Sequence, residues 1–282
     1  MEIKQISKVL KGSNDLPIPI DIHFPSDGEE LPIVIFAHGY KGFKDFGAWR
    51  QIGDQFAENG FVFVRFNFSH NGTTPENPLD FVDLEAFGEN NYSKELSDFN
   101  QVIDHLYDLA CENQQWKEED ITIIGHSRGG GMAILTAAQN KKVKKLITWA
   151  AINSTYRGMP TGDELKKWKD SGVRYVLNGR TKQNMPHYYQ FYTDLEENKD
   201  LLDIEYHARS LSIPWLIIHG DTDEAVPLED ALKLNQWQQR STLKITKNGS
   251  HTFSIVHPWE KEELSPEMQE VVDLSIKFIK SL

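Results

Sequence analysis

A serine lies in a pattern typical of a catalytic nucleophile. Residues 121–131 read ITIIGHSRGGG, so Ser127 has Gly125 and Gly129 two residues away on either side. β-Branched residues precede this pattern and a helix-forming segment follows it, which predicts a strand, a tight turn and a helix. A Cβ at either glycine would clash in such a turn. Ser127 would project from this elbow, formed by Gly125, His126, Ser127 and Gly129, above a helix N-terminus.

A structural alternative to catalysis exists, because short Gly and Ser patterns also occur in loops, where a serine can be an ordinary helix N-cap. The predicted strand over residues 120–124 and the predicted helix over residues 132–139 favour the catalytic interpretation of Ser127. That interpretation also requires a base, an acid and donors for an oxyanion.

The serine hydroxyl needs an adjacent base, and His251 is the best candidate. It lies in NGSHTF, a loop of small residues after the last predicted strand and before the last predicted helix. Such a loop can carry an imidazole to the sheet edge where Ser127 lies. A surface-loop role is the alternative for His251, and His257, followed by Pro258, is the near competitor.

The acid is expected in the loop that follows the second-last predicted strand. This loop offers Asp221, Asp223 and Glu224. We predict that Asp223 is the acid and that Asp221 anchors the turn through its backbone. The spacing of Asp221 and Asp223 does not indicate an EF-hand, because no glycine or further oxygen ligands follow at the required positions.

Strands alternate with helices along most of the chain, which predicts an α/β fold with a mainly parallel central sheet and helices on both faces. Two segments near residues 3–10 and 18–24 are expected to form an antiparallel edge of this sheet. Apolar runs over residues 31–37 and 61–68 are typical of strands that are buried on both faces.

The alternation is interrupted at residues 152–207, a segment too long for a loop in a compact domain. We predict a single domain over residues 1–282, with residues 152–207 inserted as a cap over the C-terminal edge of the sheet. Four aromatic residues of the cap could line a pocket and stack on an aromatic acyl group. They are Tyr188, Tyr189, Phe191 and Tyr192. The alternative is that these rings form a small core of the cap.

Composition excludes several classes of function. A net charge of −12 over 282 residues disfavours binding to nucleic acid or to an anionic membrane surface. The single cysteine, Cys111, excludes an internal disulfide and a cysteine-based metal site, and its helical context predicts that it packs. The sequence contains neither a signal-peptide pattern nor a long apolar run, so a cytoplasmic location is expected.

The order Ser127, Asp223, His251, each just past a strand, resembles the α/β-hydrolase superfamily from about Leu16 onward. The resemblance implies an oxyanion hole built from backbone N–H groups of the residue after the nucleophile, Arg128, and of an early loop. The segment His38-Gly39-Tyr40 is similar to that loop, so Tyr40 would supply the second donor. These motifs and the cap are similar to those of bacterial serine esterases, including cinnamoyl and feruloyl esterases, and of their prolyl-oligopeptidase-like relatives.

The resemblance implies a carboxylic-ester hydrolase that forms an acyl-enzyme on a small-molecule ester, with an aromatic, hydroxycinnamoyl-type acyl group or a small one. No metal or organic cofactor is expected. Two alternatives stay open. A serine peptidase or acyl-peptide hydrolase would use the same residues, although the sequence has no N-terminal propeller to select peptides. A hydrolase-fold binding protein would not need them. Oligomeric state is left open.

Overall fold

The computed structural model describes residues 2–112 and 115–282. Ten strands are found in these ranges: β1 (Ile3–Lys11), β2 (Pro17–Pro25), β3 (Leu31–Ala37), β4 (Val62–Phe66), β5 (Trp116–His126), β6 (Val143–Trp149), β7 (Val173–Leu177), β8 (Asn184–Tyr188), β9 (Trp215–Gly220) and β10 (Thr242–Thr246). Eight of them form one sheet in the order β1-β2-β4-β3-β5-β6-β9-β10, and β7 and β8 form a separate hairpin.

Nine α-helices connect or follow the strands within the described ranges: α1 (Trp49–Glu58), α2 (Leu84–Gly88), α3 (Tyr92–Glu112), α4 (Arg128–Gln139), α5 (Gly162–Ser171), α6 (Gln190–Glu197), α7 (Ile204–Ser210), α8 (Leu228–Trp237) and α9 (Pro266–Lys280). Ser265 caps α9 by accepting a hydrogen bond from the Met268 amide at 3.1 Å, as a Ser-Pro helix start predicts. A search of the described helices finds none with the length and apolar character needed to cross a bilayer.

The direction of the strands confirms the predicted α/β class. The six neighbouring strands β4, β3, β5, β6, β9 and β10 all run parallel to one another. At the other side, β1 pairs antiparallel with β2, and β2 pairs antiparallel with β4. The N-terminal strands therefore form the antiparallel edge expected from the sequence. The carboxyl ends of the parallel strands share one edge, so the loops that follow β3, β5, β9 and β10 meet there.

Alternation along the central strands divides the core between the two faces of the sheet. Ile33 and Ile35 of β3 pack with α3 and α4, whereas Val34 and Phe36 of the same strand pack with α1 and α9. Strands buried on both faces need apolar side chains at successive positions, which explains the continuous hydrophobic runs in the sequence. The packing of helices on both faces holds the sheet in place, and the candidate site lies at one edge of that sheet.

The predicted cap, residues 152–207, contains α5, the β7–β8 hairpin, α6 and the first residues of α7. The sequence pattern did not predict the hairpin. Its strands pair antiparallel, with Arg174 opposite His187. The indole Nε1–H of Trp168 on α5 donates to the His187 carbonyl at 2.8 Å, which ties the hairpin to the helix before it.

The prediction that Cys111 packs inside the protein was wrong, because this residue is exposed near the end of α3. The buried face of α3 is formed instead by residues such as Phe99, Ile103 and Leu106. Cys111 lies outside that stripe, so a helical context alone did not determine its burial.

Candidate active site

Ser127 occupies the turn between β5 and α4 with φ 57° and ψ −120°, a conformation that a non-glycine residue rarely adopts. Its amide donates to the Trp149 carbonyl at 2.9 Å, and its own carbonyl accepts from the amides of Gly130 at 3.0 Å and Gly131 at 3.3 Å. These bonds tie the turn to both β6 and α4. The surrounding structure therefore fixes the strained backbone and presents the Ser127 side chain at the sheet edge.

The elbow glycines lie where no side chain fits. A Cβ at Gly125 would overlap the backbone carbonyl of Gly129, so these two positions are as close as the sequence pattern predicts. A Cβ at Gly129 would overlap the carbonyls of Ala37 and His38 at the end of β3. The second glycine is thus required by the neighbouring strand, a contact that sequence spacing does not reveal.

The structure brings Ser127, His251 and Asp223 into one hydrogen-bonded group, called the triad below. His251 Nε2 lies 3.0 Å from Ser127 Oγ, and His251 Nδ1 lies 2.9 Å from Asp223 Oδ2. Asp223 follows β9 and His251 follows β10, so the parallel sheet delivers both loops to the edge where β5 ends. With the Nδ1–H donated to the carboxylate, Nε2 is free to accept the serine proton.

The carboxylate of Asp223 is completely buried and is saturated with donors. Its Oδ1 accepts from the amides of Ala225 at 2.9 Å and Val226 at 2.8 Å, and His219 Nε2 lies 3.3 Å from Oδ2. Burial by itself would raise the pKa of Asp223, but the hydrogen bonds from His219, His251 and the Val226 amide outweigh it and lower the pKa. Asp223 therefore stays ionised at neutral pH.

The competing residues lie elsewhere. Asp221 is exposed, and its amide donates to the Thr246 carbonyl at 3.2 Å, a backbone role in the turn. His257 Nδ1 accepts from the Gly47 amide at 3.0 Å, and its ring stacks on Phe46 with centroids 5.4 Å apart. Neither side chain belongs to the triad.

The loop after β3 lies directly against Ser127. A Cβ at Gly39 would be 2.8 Å from Ser127 Cβ and 3.3 Å from Ser127 Oγ, so only glycine allows this approach. Within residues 2–112 and 115–282, the backbone N–H groups of Tyr40 and Arg128 have no hydrogen-bond acceptor. Both N–H groups predicted to bind an oxyanion are thus free to donate beside Ser127.

A cavity of about 470 Å³ opens beside Ser127. Its lining combines Ser127 and His251 with aromatic, aliphatic and cationic side chains: Tyr40, Lys41, Tyr92, Ser127, Arg128, Ile152, Arg157, Gly158, Met159, Arg174, Val176, His187, Ala225, Val226 and His251. No group of three or more His, Cys, Asp or Glu residues in the described part of the chain is arranged to bind a metal ion.

The four aromatic residues expected to line the pocket do not line this cavity, which corrects that expectation. The Tyr188 hydroxyl donates to Glu85 at 2.5 Å, which raises the pKa of Tyr188 to about 12. The rings of Tyr189 and Tyr192 pack on Trp168. Phe191 is buried with its centroid 5.0 Å from that of Tyr92. These contacts are made within the cap and with α2 and α3, and they leave Phe191 buried and the three tyrosines half-buried.

Sequence reasoning missed several residues that form the cavity wall, notably Lys41, Arg174, His187 and the side chain of Arg128. The Arg128 guanidinium carbon lies 4.2 Å from the Tyr40 ring centroid and 5.2 Å from that of Tyr92, in cation–π contacts. The Tyr40 hydroxyl lies 2.6 Å from His187 Nε2. The arginine directly after Ser127 is the one signal in the sequence for this wall, because the predicted oxyanion role involves only its backbone N–H.

Comparisons with known proteins are consistent with this architecture. The family model described as alpha/beta hydrolase fold matches residues 32–183, more than half of the chain. "Putative esterase/lipase 2" of Mycoplasma genitalium is 26% identical over 195 residues, covering 67% of this chain and 59% of that protein. The chain thus spans less than two thirds of the length of this relative.

Two solved structures have a similar fold. Est1E from Butyrivibrio proteoclasticus with ferulic acid bound has a TM-score of 0.72 at 18% identity, with 98% of each chain covered. The acylaminoacyl peptidase of Pyrococcus horikoshii has a TM-score of 0.67 at 18% identity, covering 99% of this chain and 42% of the peptidase. At these identities the likeness concerns the fold alone.

Proposed function

This chain belongs to the α/β-hydrolase fold family, and we propose that it is a serine carboxylic-ester hydrolase that acts through an acyl-enzyme. The observation that carries the proposal is the single imidazole of His251 between Ser127 Oγ, at 3.0 Å, and Asp223 Oδ2, at 2.9 Å. A serine hydroxyl is unreactive near neutral pH, and this arrangement is what activates it.

In the proposed first half-reaction, Ser127 Oγ attacks the acyl carbon of the ester while His251 Nε2 takes the hydroxyl proton. Asp223 orients the imidazole and stabilises the imidazolium that forms, which suits a carboxylate that stays ionised. When the tetrahedral intermediate collapses, His251 returns the proton to the departing alkoxide. The products of this step are the free alcohol and an acyl ester on Ser127.

In the second half-reaction, His251 removes a proton from a water molecule that attacks the acyl-enzyme, and Ser127 leaves as the protonated hydroxyl. Both steps place negative charge on the former carbonyl oxygen. The amides of Tyr40 and Arg128 would stabilise that oxyanion, and losing one such donor typically lowers the rate by about 10²–10³. Their position beside Ser127, without another acceptor in the described residues, supports this role.

The cavity supports a small-molecule ester as the substrate. A volume of about 470 Å³ lies within the range common for small-ligand sites. The Tyr40 and Tyr92 rings form part of the wall, where they could contact an aromatic acyl group. The bound ferulic acid of the similar Est1E fold makes hydroxycinnamoyl-type esters suitable first substrates, together with small acyl esters.

A peptidase is the second candidate, because the Pyrococcus acylaminoacyl peptidase shares the fold. This chain covers 42% of that peptidase, so the comparison leaves more than half of the peptidase without a counterpart. A hydrolase-fold binding protein is the candidate from another class, and the connected triad disfavours it.

Matched esters and amides separate these candidates. We expect p-nitrophenyl acetate and ethyl ferulate to be hydrolysed with kcat/KM values at least about 10² above those of p-nitroacetanilide and feruloyl amide. Ser127→Ala should abolish turnover of both esters. Comparable rates on the amides would favour a peptidase, and the absence of Ser127-dependent turnover on all four compounds would contradict an enzyme of this class.

A further inference from the structure

The charge of the cavity wall is opposite to that of the whole chain. Four cationic side chains line the cavity, those of Lys41, Arg128, Arg157 and Arg174, and its lining includes no aspartate or glutamate. The chain as a whole carries a net charge of −12. A cationic wall in an acidic protein indicates that this site attracts anions selectively, because lining charges focus the local field.

Two of the four cations form ion pairs with buried carboxylates. Arg157 Nη2 lies 2.9 Å from Asp230 Oδ2, a carboxylate that is itself buried. Arg128 Nη1 lies 3.5 Å from Glu95 Oε1, which is also buried. These pairs hold both guanidinium groups in position, and they leave little uncompensated charge.

The other two cations have no such partner. Lys41 Nζ donates to the Leu177 carbonyl at 3.4 Å, and Arg174 Nη1 donates to the Gly158 carbonyl at 3.3 Å. Within residues 2–112 and 115–282, no carboxylate lies within ion-pair distance of Lys41 or Arg174. Both side chains are partly buried, so water screens their charge less than it would on an open surface.

His187, another residue of the cavity wall, is affected by burial and by this positive charge. Burial and then the charges of Arg128, Arg174 and Lys41 lower the pKa of His187 to about 3, so its imidazole is neutral at pH 7. The Nε–H of Arg174 is buried and has no acceptor among the described residues. Arg174 lies over the Trp168 ring, 4.4 Å from its centroid, and Lys41 lies over the Tyr40 ring at 4.9 Å. The wall therefore has a buried donor without an acceptor, and two cations that contact aromatic rings but form no ion pair within the described residues.

We infer that the substrate ester carries a carboxylate, in its acyl or its alcohol part, and that Arg174 and Lys41 bind this group in the cavity. A guanidinium presents two N–H donors in the geometry of a carboxylate, and the ammonium of Lys41 adds a second charge. This inference rests on the proposed ester hydrolysis and narrows it to a class of substrate.

Two matched pairs of substrates test the inference and locate the charge. Monomethyl adipate and its ω-amide differ by a carboxylate in the acyl part, whereas 4-acetoxybenzoate and 4-acetoxybenzamide differ by one in the alcohol part. We expect kcat/KM to be at least about tenfold higher for the charged member of one pair. Equal values within both pairs, or a preference for the neutral members, would overturn the inference.

Charge-removing variants identify the groups responsible. Arg174→Gln and Lys41→Gln should each reduce the preference for the charged ester by about tenfold while changing turnover of the neutral ester much less. Arg180→Gln is the matched control, because Arg180 is exposed in the turn between β7 and β8 and does not line the cavity. If the control reduced the preference as much as the two cavity variants, the preference would come from general electrostatic attraction by the protein surface. That result would contradict the inferred contacts of Arg174 and Lys41 with a carboxylate.

Binding to the inactive Ser127→Ala protein separates this inference from the proposed function. Calorimetric titration should detect the charged ester of the preferred pair at least about tenfold more tightly than its amide, with the difference reduced by Arg174→Gln. Selective binding without turnover by the unmodified protein would support the carboxylate site and contradict ester hydrolysis. Turnover of esters without selective binding would leave the hydrolase standing and overturn the carboxylate site.

Discussion

His126, the residue before Ser127, is hydrogen-bonded to the backbone of His251. Its Nε2–H donates to the His251 carbonyl at 2.8 Å, and the two ring centroids lie 4.8 Å apart. A carbonyl can only accept, so this bond fixes the proton of His126 on Nε2. One elbow therefore presents Ser127 and also anchors the loop that carries His251.

Burial keeps His126 neutral, which makes stability depend on pH. Burial and the nearby His251 lower the pKa of His126 from 6.5 to about 3. Between these values the unfolded chain binds a proton that the folded protein does not, so the free energy of unfolding falls as pH falls below 6.5. His126→Gln should reduce this slope by up to about 1.4 kcal/mol per pH unit. Urea denaturation at pH 7, 6 and 5 measures it, and unchanged slopes would contradict the burial of a neutral imidazole.

Asp223→Asn should lower kcat by roughly 10³–10⁴, because the amide cannot stabilise the imidazolium or fix the tautomer of His251. The matched control is Asp221→Asn, which makes the same chemical change two residues away on an exposed side chain. Steady-state kinetics on p-nitrophenyl acetate should show little loss for the control. Similar losses in both variants would mean that the acid has been misplaced.

Gly125→Ala should unfold the elbow or abolish activity, because the added Cβ would overlap the Gly129 carbonyl and backbone atoms cannot move away cheaply. Gly179→Ala is the control, since no atom lies within 4 Å of a Cβ at that exposed position. Thermal denaturation and ester kinetics should show the control within about 0.5 kcal/mol of the unmodified protein. A fully active Gly125→Ala protein would contradict the tight turn.

The positions of the tyrosines predict which ring affects substrate choice. Tyr92→Leu should lower kcat/KM for ethyl ferulate by about 0.5–1.5 kcal/mol more than for ethyl acetate, because Tyr92 lines the cavity. Tyr188→Leu should affect both esters alike, since that ring packs outside the cavity against Gly88. A selective loss in the Tyr188 variant alone would contradict this assignment. It would support the prediction from the sequence that Tyr188 lines a pocket for an aromatic acyl group.

The sequence was sufficient for the features that depend on strand order. Ser127, Asp223 and His251 each follow a strand of the parallel sheet, and parallel strands deliver such loops to one edge, so their proximity could be predicted without coordinates. The antiparallel N-terminal strands and the cap of α9 by Ser265 follow from local patterns in the same way.

The cavity wall could not be predicted in this way. Lys41, Arg128, Arg157 and Arg174 come from four separate segments, and no periodic pattern relates them. Their proximity depends on how the β7–β8 hairpin packs over the sheet edge, which local propensity does not determine. The aromatic cluster was misassigned for a related reason, because composition identified rings but could not tell which faces the neighbouring cap residues cover.

The central claim is that Ser127 is an activated nucleophile, and covalent labelling with a p-nitrophenyl alkylphosphonate tests it most directly. We expect release of one p-nitrophenolate per chain, a mass increase that peptide mapping places on Ser127, and loss of labelling in Ser127→Ala and His251→Ala proteins that keep the thermal midpoint of the unmodified protein. Labelling of another serine, or undiminished labelling of the Ser127→Ala protein, would contradict the account.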